Sequence, residues 1–89
     1  LAEDLAGRES LARIALAEGD IELADRLYGL LQDQSPEAVS YLARKAYADK
    51  NWTQARELTE QLLLMYPDSP ILRENLDKII GEQNSKKAS

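Results

Sequence analysis

Apolar residues along this chain recur at intervals of three and four positions, the spacing of a helix that buries one face. Leu72, Leu76 and Ile79 show the pattern, with charged residues on the opposite side. No stretch alternates apolar and polar residues in the period of two that marks a half-buried strand. Ala, Leu, Glu, Gln, Lys and Arg dominate the chain and favour helix. The pattern therefore predicts an all-α fold.

Four interruptions divide this pattern into segments of ordinary helix length. They are Gly19-Asp20, Ser35-Pro36, Lys50-Asn51 and the stretch 67–70, which begins and ends with proline. Residues 82–89 are polar and predict a disordered tail. The five predicted helices span about Glu3–Glu18, Asp20–Gln32, Ser35–Asp49, Asn51–Tyr66 and Ser69–Ile80.

Residues suited to capping stand at four of the predicted helix starts. Ser35 and Ser69 each precede a proline, which fits the first helical position because its missing N–H would be unpaired there anyway. Asp20 and Asn51 carry acceptor oxygens at two other starts. We therefore expect these four side chains to cap their helices.

The chain also resembles itself at an offset of 31 residues. Over residues 11–36 the shifted copies share 9 identities in 26 positions. Ser35-Pro36 recurs 34 residues later as Ser69-Pro70, and a helix pair repeating at this interval predicts a repeat array. The matched pairs are Leu11/Leu42, Ala12/Ala43, Arg13/Arg44, Ala15/Ala46, Ala17/Ala48, Ala24/Ala55, Leu27/Leu58, Leu31/Leu62 and Pro36/Pro67.

The matched residues suggest how the helices meet. Small side chains at Ala12, Ala43, Ala24 and Ala55 would let neighbouring helices approach closely. One helix pair cannot bury all of its apolar surface, so we expect successive pairs to stack. The residues expected to fill the space between helices are Leu11, Leu27, Leu31, Leu42, Leu58 and Leu62.

With these residues the sequence resembles the tetratricopeptide repeat family over roughly residues 5–80. The likeness is incomplete. Lys50 stands where the family has a turn glycine, Thr59 stands where it has a bulky residue, and Arg8, Val39 or Arg73 stands where it has an aromatic early in the first helix. The spacing from the first repeat to the second is also three residues shorter than the family's usual spacing. The residues that fit are Leu11-Ala12, Gly19-Asp20-Ile21, Ala24, Tyr28 and Pro36, then Leu42-Ala43, Asn51-Trp52, Ala55 and Pro67.

This resemblance implies antiparallel helix pairs stacked as a short right-handed α-solenoid. The repeat domain would span residues 1–81, followed by the tail at 82–89. Within it, repeat 1 would cover about 5–34, repeat 2 about 35–68, and a capping helix 69–81. The capping helix would shield the end of the stack, which repeat arrays need for solubility.

Composition narrows the possible chemistry. The 89 residues contain no Cys and no His, which removes thiol and imidazole catalysis, disulfides and the usual zinc sites. We expect neither an enzyme nor a bound metal or cofactor. A net charge of −5 argues against binding nucleic acid or an anionic membrane. The longest apolar run, Leu62 to Tyr66, is too short to insert into a membrane.

The resemblance implies that the first helix of each repeat lines a concave groove that binds a partner. Arg13, Arg44 and Lys78 would occupy equivalent positions there, forming a basic ladder able to hold an acidic peptide. Alternatively, Glu9–Arg13 and Glu74–Lys78 are ordinary surface pairs with helical i,i+4 spacing. The candidate groove residues are Glu9, Arg13, Glu37, Ser40, Tyr41, Arg44, Tyr47, Glu74 and Lys78.

The aromatic residues divide between packing and binding. Trp52 follows a turn, where the family packs an aromatic between helices, and Tyr28 and Tyr66 are also expected to pack. Tyr47 suits either packing or a role as binding anchor. Some family members bind the carboxylate of a peptide through a clamp that includes Lys and Asn. Glu9 and Tyr41 stand at those two positions here, which argues against recognition of a peptide carboxylate by such a clamp.

The sequence thus predicts a scaffold, adaptor or co-chaperone-like module that binds a protein or peptide partner, including one with an acidic segment. The alternative is a structural module that forms a homo-oligomer or packs against other domains, with Leu1 and Leu5 exposed at its N-terminal end. Because the chain begins with Leu1, we expect a fragment of a larger protein. Cytoplasm and periplasm both fit this composition.

Overall fold

Five helices account for most of the chain. The computed structural model describes the backbone of residues 2–88 and the side chains of residues 4–85. Within that part there is no strand, so the all-α prediction is confirmed. The helices are α1 (Ala2–Ala17), α2 (Ile21–Leu30), α3 (Pro36–Ala48), α4 (Trp52–Met65) and α5 (Pro70–Ala88).

All four predicted capping residues cap their helices. Each side chain accepts a hydrogen bond from the backbone N–H three residues later, which satisfies a donor that the helix itself cannot pair. The four bonds join Leu23 to Asp20 (3.2 Å), Ala38 to Ser35 (3.1 Å), Gln54 to Asn51 (3.3 Å) and Leu72 to Ser69 (3.3 Å).

The α1–α2 and α3–α4 turns have the same backbone geometry. Gly19 and Lys50 both adopt the left-handed conformation, with φ of 82° and 60°. Two further bonds close each helix in the Schellman arrangement, which satisfies carbonyls of the last turn. These bonds join Asp20 N–H to the Ala15 carbonyl (2.9 Å), Gly19 to Leu16 (3.1 Å), Asn51 to Ala46 (2.9 Å) and Lys50 to Tyr47 (3.0 Å).

The chain divides into two compact units, Leu1–Leu42 and Ala43–Ser89. In the first unit α1 packs against α2, and α3 contributes Ala38 to their shared core. The division therefore falls inside α3, eight residues beyond the repeat boundary predicted after residue 34 (42 − 34 = 8). The core consists of Ala12, Tyr28, Leu31 and Ala38, with Leu5, Leu27, Tyr41 and Leu42 packed around it.

The second unit is built on α4 packed against α5. Ala55 is fully buried on α4, and the buried Thr59 donates its hydroxyl proton to the Ala55 carbonyl at 2.7 Å. That bond lets a threonine occupy the position where the repeat pattern has a bulky residue, because its polar group is satisfied. The other buried residues of this unit are Ala46, Leu58, Leu62 and Ile79.

Three packing predictions are wrong. Leu11 is 56% exposed, at the edge of the α1 face that buries Ala12 and Ala15. Tyr66 is 50% exposed because α4 ends just before it. Leu5 packs against the core instead of lying exposed, and Leu1 lies outside the described residues.

Small-residue packing agrees with expectation at Ala12, Ala24 and Ala55, each fully buried, whereas Ala43 is only half-buried. Helix α5 also includes residues 82–88, for which the sequence predicted a disordered tail. Nothing in that segment breaks a helix, and Gln83 contacts α4: its side chain accepts from Arg56 (3.3 Å) and donates to Thr53 (3.4 Å). Ser89 lies outside the described residues.

Ala55→Glu should destabilise the fold strongly, because a charge would be forced into a contact with no water and no partner. We expect the free energy of unfolding, measured in urea, to fall by roughly 3 kcal/mol or more. Ala6→Glu on the exposed surface of α1 is the matched control and should change stability by less than about 0.5 kcal/mol. Similar unfolding midpoints for the two variants would contradict the buried placement of Ala55.

The matched turns allow an opposed pair of substitutions. Lys50→Gly should stabilise the fold by about 1 kcal/mol, since glycine adopts positive φ without steric cost. Gly19→Ala should destabilise it by a similar amount, and through the backbone alone, because an added Cβ meets no atom within 4 Å. Thermal unfolding of both variants tests this. Shifts of the same sign would refute the shared turn geometry.

Candidate partner-binding surface

A carboxylate on α3 links the first two helices of the first unit. The Glu37 carboxylate accepts from the Arg13 guanidinium at 2.7 Å and from the Tyr28 hydroxyl at 2.8 Å. Arg13 also donates to the Ser10 hydroxyl at 3.1 Å. Arg13 therefore pairs with a residue 24 positions away, and not with Glu9 in its own helix as the sequence suggested.

A second link joins α1 to the start of α3. Ser35 is fully buried, and its hydroxyl donates to the Glu9 carboxylate while accepting the Ala38 N–H. The cap of α3 is thus also an anchor for α1. Because both groups are paired, burying this polar contact carries no penalty for an unsatisfied donor.

Two tyrosines complete the contact between α2 and α3. The rings of Tyr28 and Tyr41 stack with centroids 4.3 Å apart and an interplanar angle of 27°. The Tyr41 hydroxyl donates to the Asp25 carboxylate at 2.5 Å. Tyr41 was a candidate groove residue, but its ring and hydroxyl are both engaged within the first unit. Ser40, another candidate, is half-buried.

The second unit holds the four remaining candidates. Lys78 pairs with Glu74 at 3.7 Å, the i,i+4 surface pair that the sequence indicated. Arg44 is exposed, and its side chain makes no ion pair or hydrogen bond within the described residues. Tyr47, one turn further along α3, is 42% exposed and meets the half-buried Trp52 edge to face, with ring centroids 5.2 Å apart.

The three cations of the predicted ladder therefore differ in their surroundings. Arg13 and Lys78 each have a carboxylate partner, whereas Arg44 has none in the part of the chain that the structure describes. An exposed ion pair contributes at most about 1 kcal/mol, so Arg13 and Lys78 can exchange partners at small cost. The ladder as one binding feature stays a prediction.

Sequence reasoning missed the network around Glu37 and Ser35. The sequence assigned Glu37 to the candidate groove and Ser35 to a helix cap. Their second roles depend on residues of α1 that lie 24 and 26 positions earlier. No periodicity signals such pairs, and opposite charge alone does not select Glu37 for Arg13 among the chain's 16 acidic residues.

Among the described residues, no group of three His, Cys, Asp or Glu side chains is placed to hold a metal ion. In the same part of the chain, no helix combines the length and the apolar character that crossing a bilayer requires.

Comparison with protein-family models, curated proteins and solved structures finds no match for this chain. The likeness to tetratricopeptide repeats consequently depends on the residues of the sequence itself.

Tyr28→Phe and Glu37→Gln should each destabilise the fold by about 1 kcal/mol, because both weaken the hydrogen bond between them. The double variant should lose less unfolding free energy than the two single variants lose in sum, because each single variant already loses the same hydrogen bond. A double-mutant cycle by urea unfolding measures the coupling. Glu74→Gln is the control and should cost less than about 0.5 kcal/mol. Strict additivity would mean that the bond contributes nothing.

Proposed function

We propose that this chain is a non-catalytic protein-binding module of the tetratricopeptide type, with two helix-pair repeats and a capping helix stacked as an α-solenoid. Three observations support the repeat arrangement. The two Schellman turns recur 31 residues apart with matching hydrogen bonds. Asp20 and Asn51 cap the following helices in the same way. The small residues Ala24 and Ala55, also 31 apart, are both fully buried.

The observation that carries the binding role is the pair formed by Arg44 and Tyr47 on α3. The edge contact with Trp52 restrains the Tyr47 ring while leaving 42% of the residue exposed. A restrained aromatic loses little conformational entropy on binding, and Tyr, Trp and Arg are the residues that most often dominate interface energies. Arg44 offers a charged donor without a competing partner in the described chain.

These side chains fit a peptide or helix that carries an acidic residue beside an apolar one. The Arg44 guanidinium would bind the carboxylate through charge-assisted hydrogen bonds, and the Tyr47 ring would cover the apolar neighbour. Within the same unit, Lys78 would add to the interaction only by leaving Glu74. The module would thus act as a scaffold or adaptor that selects acidic segments, despite its own charge of −5.

A structural role is the second candidate, in which the module self-associates or packs against other domains. Leu11 and Ile14, which are 56% and 53% exposed on α1, favour it. This surface differs from the Arg44–Tyr47 pair, so the two roles are compatible within one protein.

Selection from a displayed library of random peptides tests the acidic preference. Recovered peptides should be enriched in Asp and Glu, and their affinity is measured through the fluorescence of Trp52, the only tryptophan. Arg44→Ala should weaken binding about tenfold or more, the effect of losing a charged hydrogen bond. Tyr47→Ala should weaken it as well, and here the signal must come from a label on the peptide.

Arg26→Ala is the matched control, because it removes the same charge from an exposed position on α2. We expect this variant to bind the recovered peptides within about threefold of the parent affinity, the change expected from screened long-range charge alone. Peptides without acidic enrichment, or equal losses in the Arg44 and Arg26 variants, would refute the proposal.

A further inference from the structure

An exposed stripe runs along α1 beside the buried Ala15. It consists of Asp4, Gly7, Leu11, Ile14 and Glu18, spaced by three and four residues in turn. This is the seam spacing by which one helix packs along another. All five residues are exposed, and Glu18 continues the helical path because its N–H bonds to the Ile14 carbonyl at 2.9 Å. We name these five residues the α1 stripe.

The core of the first unit does not include the α1 stripe. On α1 it buries Ala12 and Ala15, and Leu5 packs against it, so the stripe borders this buried face at Ala15, one helical turn after Leu11. Leu11 and Ile14 nevertheless expose more than half of their area at the centre of the stripe. Gly7 lies one turn before Leu11, and a Cβ added there would meet no atom within 4 Å. The centre of the stripe is therefore apolar, with room for close approach.

The acidic residues at the two ends of the α1 stripe indicate the charge of a partner that would fit it. Asp4 and Glu18 place a carboxylate at each end of the α1 stripe, and neither forms an ion pair within the described residues. The stripe itself contains no basic residue. The two carboxylate positions are separated by roughly 21 Å of helix, the rise over the residues between them.

We infer that the α1 stripe is a docking site for an amphipathic helix of a partner protein, with apolar residues at its centre and Lys or Arg near both ends. The apolar centre would bury Leu11 and Ile14, and the basic ends would meet Asp4 and Glu18. Such end charges set partner choice and orientation in paired helices. This surface is separate from the Arg44–Tyr47 pair, so the inference does not depend on the acidic-peptide proposal.

A second copy of the chain fits this surface less well. In an antiparallel pair centred on Leu11, Ile14 would fit over Gly7 of the other copy, but Glu18 would face Asp4. In a parallel pair each residue would face its own counterpart. Either arrangement brings carboxylates together at both ends, which is destabilising. Charge thus favours a partner of opposite sign over self-association.

The inference is tested with two labelled synthetic helices that have the same apolar residues. One helix carries Lys at both ends, and the other carries Glu at both ends. Fluorescence anisotropy should show at least about tenfold tighter binding of the Lys-ended helix at low salt, with the difference shrinking as salt screens the charges. Leu11→Ser with Ile14→Ser should abolish binding of both helices. These residues are exposed, so circular dichroism should show an unchanged fold.

The charge-swapped variant Asp4→Lys with Glu18→Lys is the decisive comparison. It should reverse the preference and bind the Glu-ended helix more tightly. Glu22→Lys with Asp33→Lys makes the same charge change at exposed positions on and just after α2 and should keep the parent's preference. Equal affinity for both helices, or no reversal in the swapped variant, would overturn the inference. A dimer by light scattering that Leu11→Ser with Ile14→Ser dissolves would overturn it in favour of self-association.

Discussion

The helices of this protein approach each other closely at buried alanines, and the other packing contacts form around these points. Ala12, Ala24 and Ala55 are fully buried, so neighbouring side chains pack directly over helix backbone at these points. A larger side chain would push the helices apart and open the surrounding leucine contacts. A chain of 89 residues without phenylalanine has little apolar volume to bury, and close packing is how it obtains a core.

Polar contacts supplement this thin core in the first unit. Glu37, Ser35 and Asp25 each bind a side chain from a different helix, and the stacked Tyr28 and Tyr41 rings lie among them. Each bond contributes little by itself, but each is directional and specifies which side chains meet. The same contacts occupy Glu9, Arg13 and Tyr41, so part of the surface first assigned to binding serves the fold instead.

What is left for a partner differs between the two units. The second unit presents Arg44 beside a tyrosine restrained by Trp52, which suits an acidic segment. The first unit presents the exposed Leu11 and Ile14 of α1 between two carboxylates, which suits a helix with basic ends. A module with two such surfaces of opposite preference would bind two partners of opposite charge.

Features that depend on neighbours within a turn or two were predictable from the sequence. Periodicity predicted the five helices, and Asp20, Ser35, Asn51 and Ser69 predicted the starts of the last four, because a cap bonds only three residues ahead. Similarity at 31 residues predicted that Lys50 would take the place of Gly19, and both residues have positive φ. Among the candidate binding residues, the same local reasoning found the Glu74–Lys78 pair and singled out Tyr47.

The buried face of α1 follows from its packing against the other helices, since α1 carries apolar residues on more than one face. The tertiary structure also determines that Arg13 binds Glu37, that Glu9 binds Ser35 and that α5 continues past residue 81 against α4. These outcomes depend on side chains 24 to 27 positions apart in the chain. Local spacing carries no information about such pairs, because folding alone brings them within hydrogen-bond distance.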